Sequence, residues 1–313
     1  MTDPHRYEEV VPATLAGERV DRAVSMIADV SRSEAVTLIT EGAVLIDGRR
    51  PTKPSERLIE ASSLVIDVPD RTVGLDPDSG VSVPIVYADD VVIVVDKPAG
   101  MVVHPGAGSH TGTMVQGLLH QFPDLEGVGG DPLRPGIVHR LDKGTSGLLL
   151  VARSDSAHAD LARQLRERTV LRRYHAVVWG LLNAPEGVID APIGRSLRDP
   201  TRRAIVAGGR MARTHYRVLD TFADPGLSEL ECRLETGRTH QIRVHLESIG
   251  HPVVGDRQYG KGRRPLGLSR PFLHAAAVGF VHPATGQWLE FESALPEDLK
   301  RFVAELRSTN HDE

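Results

Sequence analysis

One stretch near the middle of the chain restricts the fold more than any other. It reads HRLDKGTSG over residues 139–147 and continues as the apolar run LLLVA over residues 148–152. An apolar run this short, preceded by glycine, is typical of a buried strand. Asp142 stands just before that strand, and the charges of Arg140 and Lys143 favour its ionised form.

Two interpretations of Asp142 fit this pattern. An ionised aspartate in a basic loop is a candidate nucleophile, and the glycines around it let the backbone turn tightly and approach a ligand. A surface turn with a local ion pair has the same pattern, and the residues of this stretch alone favour the turn.

Three strings along the chain resemble the signatures of the RluA-type pseudouridine synthases. They are DKPAGMVVHP at 96–105, HRLDKGTSGLLLVAR at 139–153 and TGRTHQIR at 236–243. The resemblance implies that Asp142 is the catalytic aspartate of an enzyme that isomerises uridine to pseudouridine in RNA. It also implies that Tyr174 packs on the target base and that Arg243 forms a salt bridge with the aspartate. Gly144 replaces an acidic residue of many relatives, which changes only the local charge of the loop.

Four further residues of these strings are candidate RNA contacts, namely His139, Arg140, Lys143 and Arg238. An enzyme that acts on a base must extrude that base from the stack. Arg140, beside the aspartate, is well placed to occupy the vacated space.

Periodicity alone leaves other roles open for these residues. Tyr174 falls in a predicted strand, where a half-buried tyrosine is ordinary. Arg243 falls in the first turn of a helix that is expected to follow the N-cap Thr239. It is either a residue of a solvated helix face or an anion contact, since helix amides and a guanidinium together attract anions. Residues 195–217 hold seven arginines and one aspartate, which fits a solvated loop or an RNA-backbone contact.

Residues 17–69 form a separate module in the sequence. Helical spacing over 20–27 and a capping box at 31–34 predict two short helices, the second ending at Gly42, before strands at 44–46 and 64–66. This order resembles the αL RNA-binding module first described in a small-subunit ribosomal protein. The resemblance implies RNA contacts by Ser31, Arg32, Ser33, Arg49, Arg50 and Lys53, in a module with more acidic than basic residues. Residues 1–16 are expected to be an extension, and residues 70–80 a linker without core residues.

Residues 81–307 are expected to form one catalytic domain, followed by a tail at 308–313. Strands are predicted at 85–87, 91–95, 101–103, 172–179 and 288–291, and helices after the N-cap Thr113 and over 156–168 and 296–306, while residues 272–276 are expected to be structural. This alternation indicates a mixed α/β (α+β) class. The resemblance further implies the pseudouridine-synthase fold, with a long, mostly antiparallel bent sheet around a central cleft.

Charge is distributed unevenly along the chain. The formal net charge is −5, yet residues 134–217 hold 16 Lys/Arg against 7 Asp/Glu, and residues 233–270 hold 8 against 3. A basic face on an otherwise acidic body is typical of nucleic-acid binding. Dispersal of these arginines over a solvated surface is the alternative.

Several other functional classes lack their sequence patterns. The HExxH pattern is absent, and His240 and His245 are five residues apart, on different faces of a helix, so no metal site is expected. Cys232 is the only cysteine, which excludes an internal disulfide. Ser146 lacks the GxSxG spacing of a hydrolase nucleophile. No apolar run is long enough for a membrane span and no signal core begins the chain, so a cytoplasmic protein without membrane contact is expected.

Two functions remain, an RNA pseudouridine synthase and a non-catalytic RNA- or ribosome-binding factor on the same fold. The presence of Asp142, Tyr174 and Arg243 together favours the enzyme. The αL module and the extent of the resemblance favour large-subunit ribosomal RNA as the substrate over transfer RNA. We expect a monomer that needs no cofactor.

Overall fold

The computed structural model describes residues 5–30, 32–68, 75–106, 111–199, 201–260 and 262–310. The chain divides into two compact units, Met1–Val73 and Gly74–Glu313. None of the helices in these described ranges is long and apolar enough to cross a membrane.

The smaller unit packs two helices on a sheet. Its elements are β1 (His5–Val10), α1 (Val20–Ile27), α2 (Arg32–Glu41), β2 (Val44–Ile46) and β3 (Ser63–Val68). β3 pairs antiparallel with both β1 and β2. The apolar faces of α1 and α2 are buried in one core with the strands, because apolar residues spaced three and four apart share one side of a helix. Ser31 and the side chain of Ser33 lie outside the described residues.

β1 lies in the segment that we expected to be an extension. It pairs with β3 from His5 opposite Val68 to Val10 opposite Ser63. Val11, which follows it, is buried. Strand pairing satisfies backbone groups that would otherwise need water, so the sheet of this unit includes residues before position 17.

The larger unit contains most of the strands. Its elements are β4 (Ile85–Ala88), β5 (Val92–Lys97), α3 (Met114–Gln121), β6 (Ser146–Ala152), α4 (Asp155–Glu167), β7 (Leu171–Trp179), β8 (Glu186–Asp190), β9 (Ile193–Arg195), β10 (Arg203–Ile205), β11 (Arg213–Phe222), β12 (Leu227–Leu234), α5 (Gln241–Ser248), β13 (Leu273–Val281), β14 (Trp288–Glu292) and α6 (Glu297–Asn310). In the part of the chain that the structure describes, nine of these strands form one sheet, in the order β4-β5-β6-β13-β7-β12-β11-β8, with β14 beside β13.

The large sheet is mixed. Its paired strands among the described residues are antiparallel except β6 and β13, which run parallel. β13 comes from the last part of the chain but lies between β6 and β7. The predicted mixed α/β class, with a mostly antiparallel sheet, is therefore confirmed.

β6 is the apolar run that follows Asp142 in the sequence. All of its residues are buried. Leu149 and Val151 belong to the core on one face, and Leu148 and Leu150 to the core on the other. A strand that is covered on both faces needs such a continuous apolar run. Gly147 has a φ of +109°, and a Cβ there would collide with the Ala275 carbonyl oxygen of β13, so only glycine fits this close pairing.

Residues 101–103 do not form the strand that we predicted. The carbonyl oxygens of Val102 and Val103 instead accept hydrogen bonds from the amides of Met114 and Val115, at 2.8 and 3.0 Å. The first amides of a helix have no partner within it, and α3 obtains partners from this segment.

The second half of the predicted linker contacts the large unit. Leu75 packs against the core, and the amide of Asp78 donates to the Gln116 carbonyl oxygen at 3.0 Å. Our expectation of a linker without core residues was therefore wrong for residues 75–80, because Leu75 provides an apolar side chain that the core covers. Residues 70–74 lie outside the described residues.

Candidate active site

Asp142 lies in a short loop that is tied down on both sides. Leu141 is buried, and the Thr145 amide donates to the Asp142 carbonyl oxygen at 3.0 Å. The Gly100 amide, from the DKPAG turn, donates to the Lys143 carbonyl oxygen at 2.7 Å. The loop leads directly into β6 at the centre of the sheet. The Asp142 side chain lines a cleft of about 560 Å³.

Arg243 faces Asp142 across this cleft. It lies in the first turn of α5, and its Nη1 donates to Asp142 Oδ2 at 3.1 Å. Its Nε and Nη2 bind both carboxylate oxygens of Asp256, at 2.6 and 3.0 Å. Nη2 also reaches Gln258 Oε1 at 3.1 Å. Because bidentate pairs fix the plane of a guanidinium, Asp256 orients Arg243 toward Asp142.

The group that holds Arg243 is itself rigidly placed. Asp256 Oδ1 accepts the amides of Gln258 and Tyr259, at 2.9 and 3.1 Å. The Tyr259 ring lies 4.8 Å from the Arg243 guanidinium carbon, in cation–π contact. Burial alone would lower the pKa of Arg243, but the hydrogen bonds and charges of Asp256 and Asp142 outweigh it and raise that pKa.

His240 caps α5, where we predicted Thr239. The helix therefore begins one residue later than expected, after a His240 backbone with a left-handed φ of 59° and no capping hydrogen bond from its side chain. The Nε2 of His240 lies 4.0 Å from Asp142 Oδ1, and its Nδ1 lies 2.8 Å from Tyr259 Oη. Burial is the main cause that lowers the pKa of His240, so the ring adds no full charge beside Asp142 at neutral pH.

Tyr174 forms part of the cleft wall. It lies on β7 and is 6% exposed. Burial raises the pKa of its phenol to about 12; the charge of Arg172 opposes this rise, and the charge of Asp142 adds to it. Tyr174 therefore remains a neutral phenol near neutral pH, with a proton to donate.

Four predicted RNA contacts have different environments. Arg140 is exposed and donates from Nη1 to His104 Nε2 at 3.1 Å, while His104 Nδ1 donates to the Pro105 carbonyl oxygen at 2.9 Å. His139 Nε2 accepts the Leu150 amide at 3.0 Å, and burial lowers its pKa to about 3. His139 thus supports β6 with one of its two nitrogens.

Arg238 and Arg140 line the same cleft as Asp142, Tyr174 and Arg243. Arg238 Nε donates to the Met211 carbonyl oxygen at 3.1 Å. Lys143 is exposed and is not part of the cleft wall. The structure therefore assembles most of the predicted site from segments that are up to about 100 residues apart in the sequence.

Two of the predicted RNA contacts of the smaller unit, Arg32 and Arg49, form ion pairs with carboxylates. Arg32 lies 3.2 Å from Asp21 Oδ2, a buried carboxylate that also holds Arg19. Arg49 pairs with Glu56 at 2.7 Å. No ion pair joins Arg50 or Lys53 to any carboxylate that the structure describes.

Lys97 is a completely buried cation beside the site. Its Nζ donates to the carbonyl oxygens of Pro98 and Met101 at 2.9 and 3.0 Å. Burial lowers its pKa to about 7, against the opposing effect of the Asp142 charge. Lys97 thus fixes the turn whose Gly100 amide holds the Asp142 loop.

Sequence reasoning missed His240, Asp256, Tyr259 and the buried Arg172, which also lines the cleft. His240 stood within a matching string, which was a usable signal. Asp256 is the only aspartate in the basic stretch 233–270, and an isolated carboxylate among arginines indicates a structural partner. Within the described ranges, no group of three His, Cys, Asp or Glu side chains is placed to hold a metal ion.

Two family models match the chain. The model described as RNA pseudouridylate synthase matches residues 91–248, which include the cleft residues above. The model described as S4 domain matches residues 18–59 of the smaller unit.

Individual proteins are similar over most of their lengths. An uncharacterised RNA pseudouridine synthase of Chloroflexus aurantiacus is 49% identical over 300 residues, covering 95% of this chain and 93% of that one. A protein of Nitrosomonas europaea named ribosomal large subunit pseudouridine synthase D is 44% identical over 97% of this chain and 89% of its own. The solved human RNA pseudouridylate synthase domain containing 1 is 27% identical, with a TM-score of 0.55 over 74% of this chain and 98% of that one.

Proposed function

This chain belongs to the RNA pseudouridylate synthase family, isomerases that convert uridine to pseudouridine, and from that premise we propose that its substrate is a uridine of large-subunit ribosomal RNA. The observation that supports this substrate is the similarity, over nearly the whole chain, to relatives named for the large ribosomal subunit. The S4 module at the N-terminus supports an RNA of substantial size, because it offers a second contact surface apart from the cleft.

In this proposal Asp142 is the catalytic carboxylate. Isomerisation breaks the bond between ribose C1′ and uracil N1 and joins C1′ to C5. C5 loses its proton and N1 takes up one, so no atom is gained or lost overall. The Asp142 carboxylate either attacks C1′ or stabilises positive charge there. Arg243 holds the carboxylate in place with its Nη1, and the cleft volume is within the range of pockets that enclose a small ligand.

Tyr174 and Arg140 have complementary roles in the proposal. Tyr174 provides an apolar ring for the target base and a neutral phenol that can pass a proton. Arg140 is exposed beside the cleft, and among the described residues it forms one hydrogen bond, to His104. It is free to enter the RNA stack in place of the extruded uridine.

Pseudouridine mapping in RNA from cells that lack this protein tests the substrate. We expect one or more large-subunit sites to lose pseudouridine and to regain it with the wild-type protein but not with Asp142→Asn. Loss of pseudouridine at transfer RNA positions alone would show that the substrate is transfer RNA and not ribosomal RNA.

The same variant tests the catalytic residue in vitro. Asp142→Asn keeps the shape of the side chain but removes its charge, so we expect turnover to fall by about 10³-fold or more, with RNA affinity nearly unchanged. Asp190→Asn is the matched control, because Asp190 also pairs with an arginine, at 2.7 Å, but lies outside the cleft. Full turnover by Asp142→Asn would refute the catalytic role.

A further inference from the structure

Arg172 is a buried cation of the cleft wall that the proposed chemistry does not use. It lies on β7, two residues before Tyr174, so both side chains are on one face of the sheet. It is 5% exposed and lines the cleft. Its hydrogen bond is from Nη2 to the Glu235 carbonyl oxygen at 3.1 Å, and its buried Nε has no partner among the described residues.

No described carboxylate lies within ion-pair distance of Arg172, which sets it apart from comparable arginines. Arg173 and Arg202 also have a buried Nε without a partner. However, Arg173 reaches Glu290 and Glu292 at 2.9 and 2.8 Å, and Arg202 lies 4.0 Å from Glu247. A buried charge without a counter-charge is costly, so the environment of Arg172 is incomplete without an anion.

The cleft wall around Arg172 is rich in arginines, among them Arg168, Arg210 and Arg238, and its carboxylate Glu235 pairs with Arg168. A Cβ at position 237 would lie only 2.7 Å from Arg172 Nη1, so glycine at this position allows the backbone to approach the guanidinium. Burial is the main cause that lowers the pKa of Arg172; Tyr174 opposes it, and the charge of Arg238, which follows Gly237, adds to it. Burial lowers the pKa of Arg238 in turn, and the charges of Arg210 and Arg168 lower it further. An anion between Arg172 and Arg238 would relieve this repulsion.

We propose that Arg172 and Arg238 together bind one phosphodiester group of the RNA strand, next to the nucleotide whose base contacts Tyr174. Guanidinium groups suit this ligand because their planar array of donors matches two phosphate oxygens. The inference rests on the proposed function in taking the ligand of this cleft to be RNA. It adds the phosphate subsite that fixes the register of the strand.

Neutral linkages in the RNA test the subsite directly. The probes are synthetic oligonucleotides that the wild-type enzyme modifies, made with natural linkages or with a single methylphosphonate on the 5′ or the 3′ side of the target uridine. For the wild type, we expect one of the two methylphosphonates to raise KM by about 10- to 100-fold, the scale of a charge-assisted hydrogen bond, with kcat changed less than about threefold.

Arg172→Gln keeps an amide donor for the Glu235 carbonyl oxygen but has no charge. On natural RNA we expect it to raise KM by a similar factor and to make the salt slope of binding less negative by about 0.7. The sensitive methylphosphonate should then raise KM by less than about twofold further. Arg173→Gln is the control, because Arg173 is adjacent but faces carboxylates, and it should keep the full wild-type response.

An Arg172→Gln enzyme that is as sensitive to the methylphosphonate as the wild type would overturn the proposal and leave Arg172 as a support for Glu235. If that variant does not fold, Arg238→Gln decides, since Arg238 is partly exposed and must also lose sensitivity to the same linkage. An unaltered response in Arg238→Gln would equally overturn the subsite. Whether the modified uridine comes from ribosomal or transfer RNA decides the proposed function separately.

Discussion

The amino group of Lys97 has no contact with solvent, although lysine is among the residues least often buried. Its two hydrogen bonds are to carbonyl oxygens, and no carboxylate pairs with it in the described part of the chain. Its pKa of about 7 means that the cation is only half populated at neutral pH. The position of the Asp142 loop therefore depends on a lysine whose charged form is destabilised by burial.

The cost of burying the Lys97 charge should give the wild type a pH dependence of stability that Lys97→Met lacks. In the unfolded chain a lysine has a pKa of about 10.4, so between pH 7 and 10 the unfolded chain binds more protons than the folded one. The free energy of unfolding of the wild type should therefore rise with pH, relative to Lys97→Met, by about 2 kcal/mol from pH 7 to 9. Urea unfolding followed by tryptophan fluorescence measures this in the large unit, which holds both tryptophans, Trp179 and Trp288.

A parallel pH dependence in the two proteins would contradict a depressed pKa of Lys97. The loss of two hydrogen bonds in Lys97→Met lowers stability at every pH and does not change this slope. The comparison thus separates the charge of Lys97 from its packing.

At the scale of elements, the helices were predictable and the order of the strands was not. α1, α2 and α4 begin and end near the predicted positions because apolar residues at helical spacing create a face that any core can cover. The pairing of β6 with β13 joins residues that are 128 positions apart, and no local pattern specifies such a partner. The first half of residues 195–217 has no apolar period, yet β10 forms there and pairs with β9, because strands pair through the backbone.

The residues of the candidate site also divide into those that could be identified from the sequence and those that could not. Asp142 and Arg243 were identified within matching strings and Tyr174 through the family resemblance outside them, and the structure brings all three to one cleft. Asp256 and Arg172 were not identified, because their importance arises from burial and from partners elsewhere in the chain. A sequence does not show which carboxylate pairs with an arginine, nor which arginine lacks a carboxylate partner.

The loop before β6 contains Arg140, whose proposed entry into the RNA stack can be tested by substitution. Arg140→Ala should slow turnover about 10-fold on structured RNA, where extrusion of the base costs a few kcal/mol, and less than about threefold on an unpaired strand. Lys143→Ala is the control, as an exposed cation of the same loop outside the cleft wall. Equal losses of Arg140→Ala on both substrates would argue against the role.

At the scale of the whole molecule, the two units should divide affinity and chemistry. A chain that begins at Gly74, and so keeps the contacts of Leu75 and Asp78, should fold and modify a short saturating oligonucleotide at a rate near that of the full chain. It should bind long RNA more weakly. Its salt slope should be less negative by about 1.5, because Arg50 and Lys53 would each release counterions on contact with phosphate.

The full chain with Arg50→Gln and Lys53→Gln provides the matched comparison and should show the same shallower slope. Measurements of binding at several salt concentrations compare the three proteins. If removal of residues 1–73 changes neither affinity nor slope, the smaller unit does not bind RNA and a protein partner becomes the better explanation.

The central place of β13 has a consequence for the order in which the molecule matures on the ribosome. The smaller unit has its whole sheet once residue 68 has emerged, whereas β6 and β7 must wait for a strand that ends at residue 281. From the end of β7 at residue 179 to the end of β13 at residue 281, typical elongation rates give an interval of about 5 to 20 s. Throughout it the S4 module is complete while the catalytic half has a gap in its middle. We therefore expect competence for modification to arise only after residue 281 has emerged.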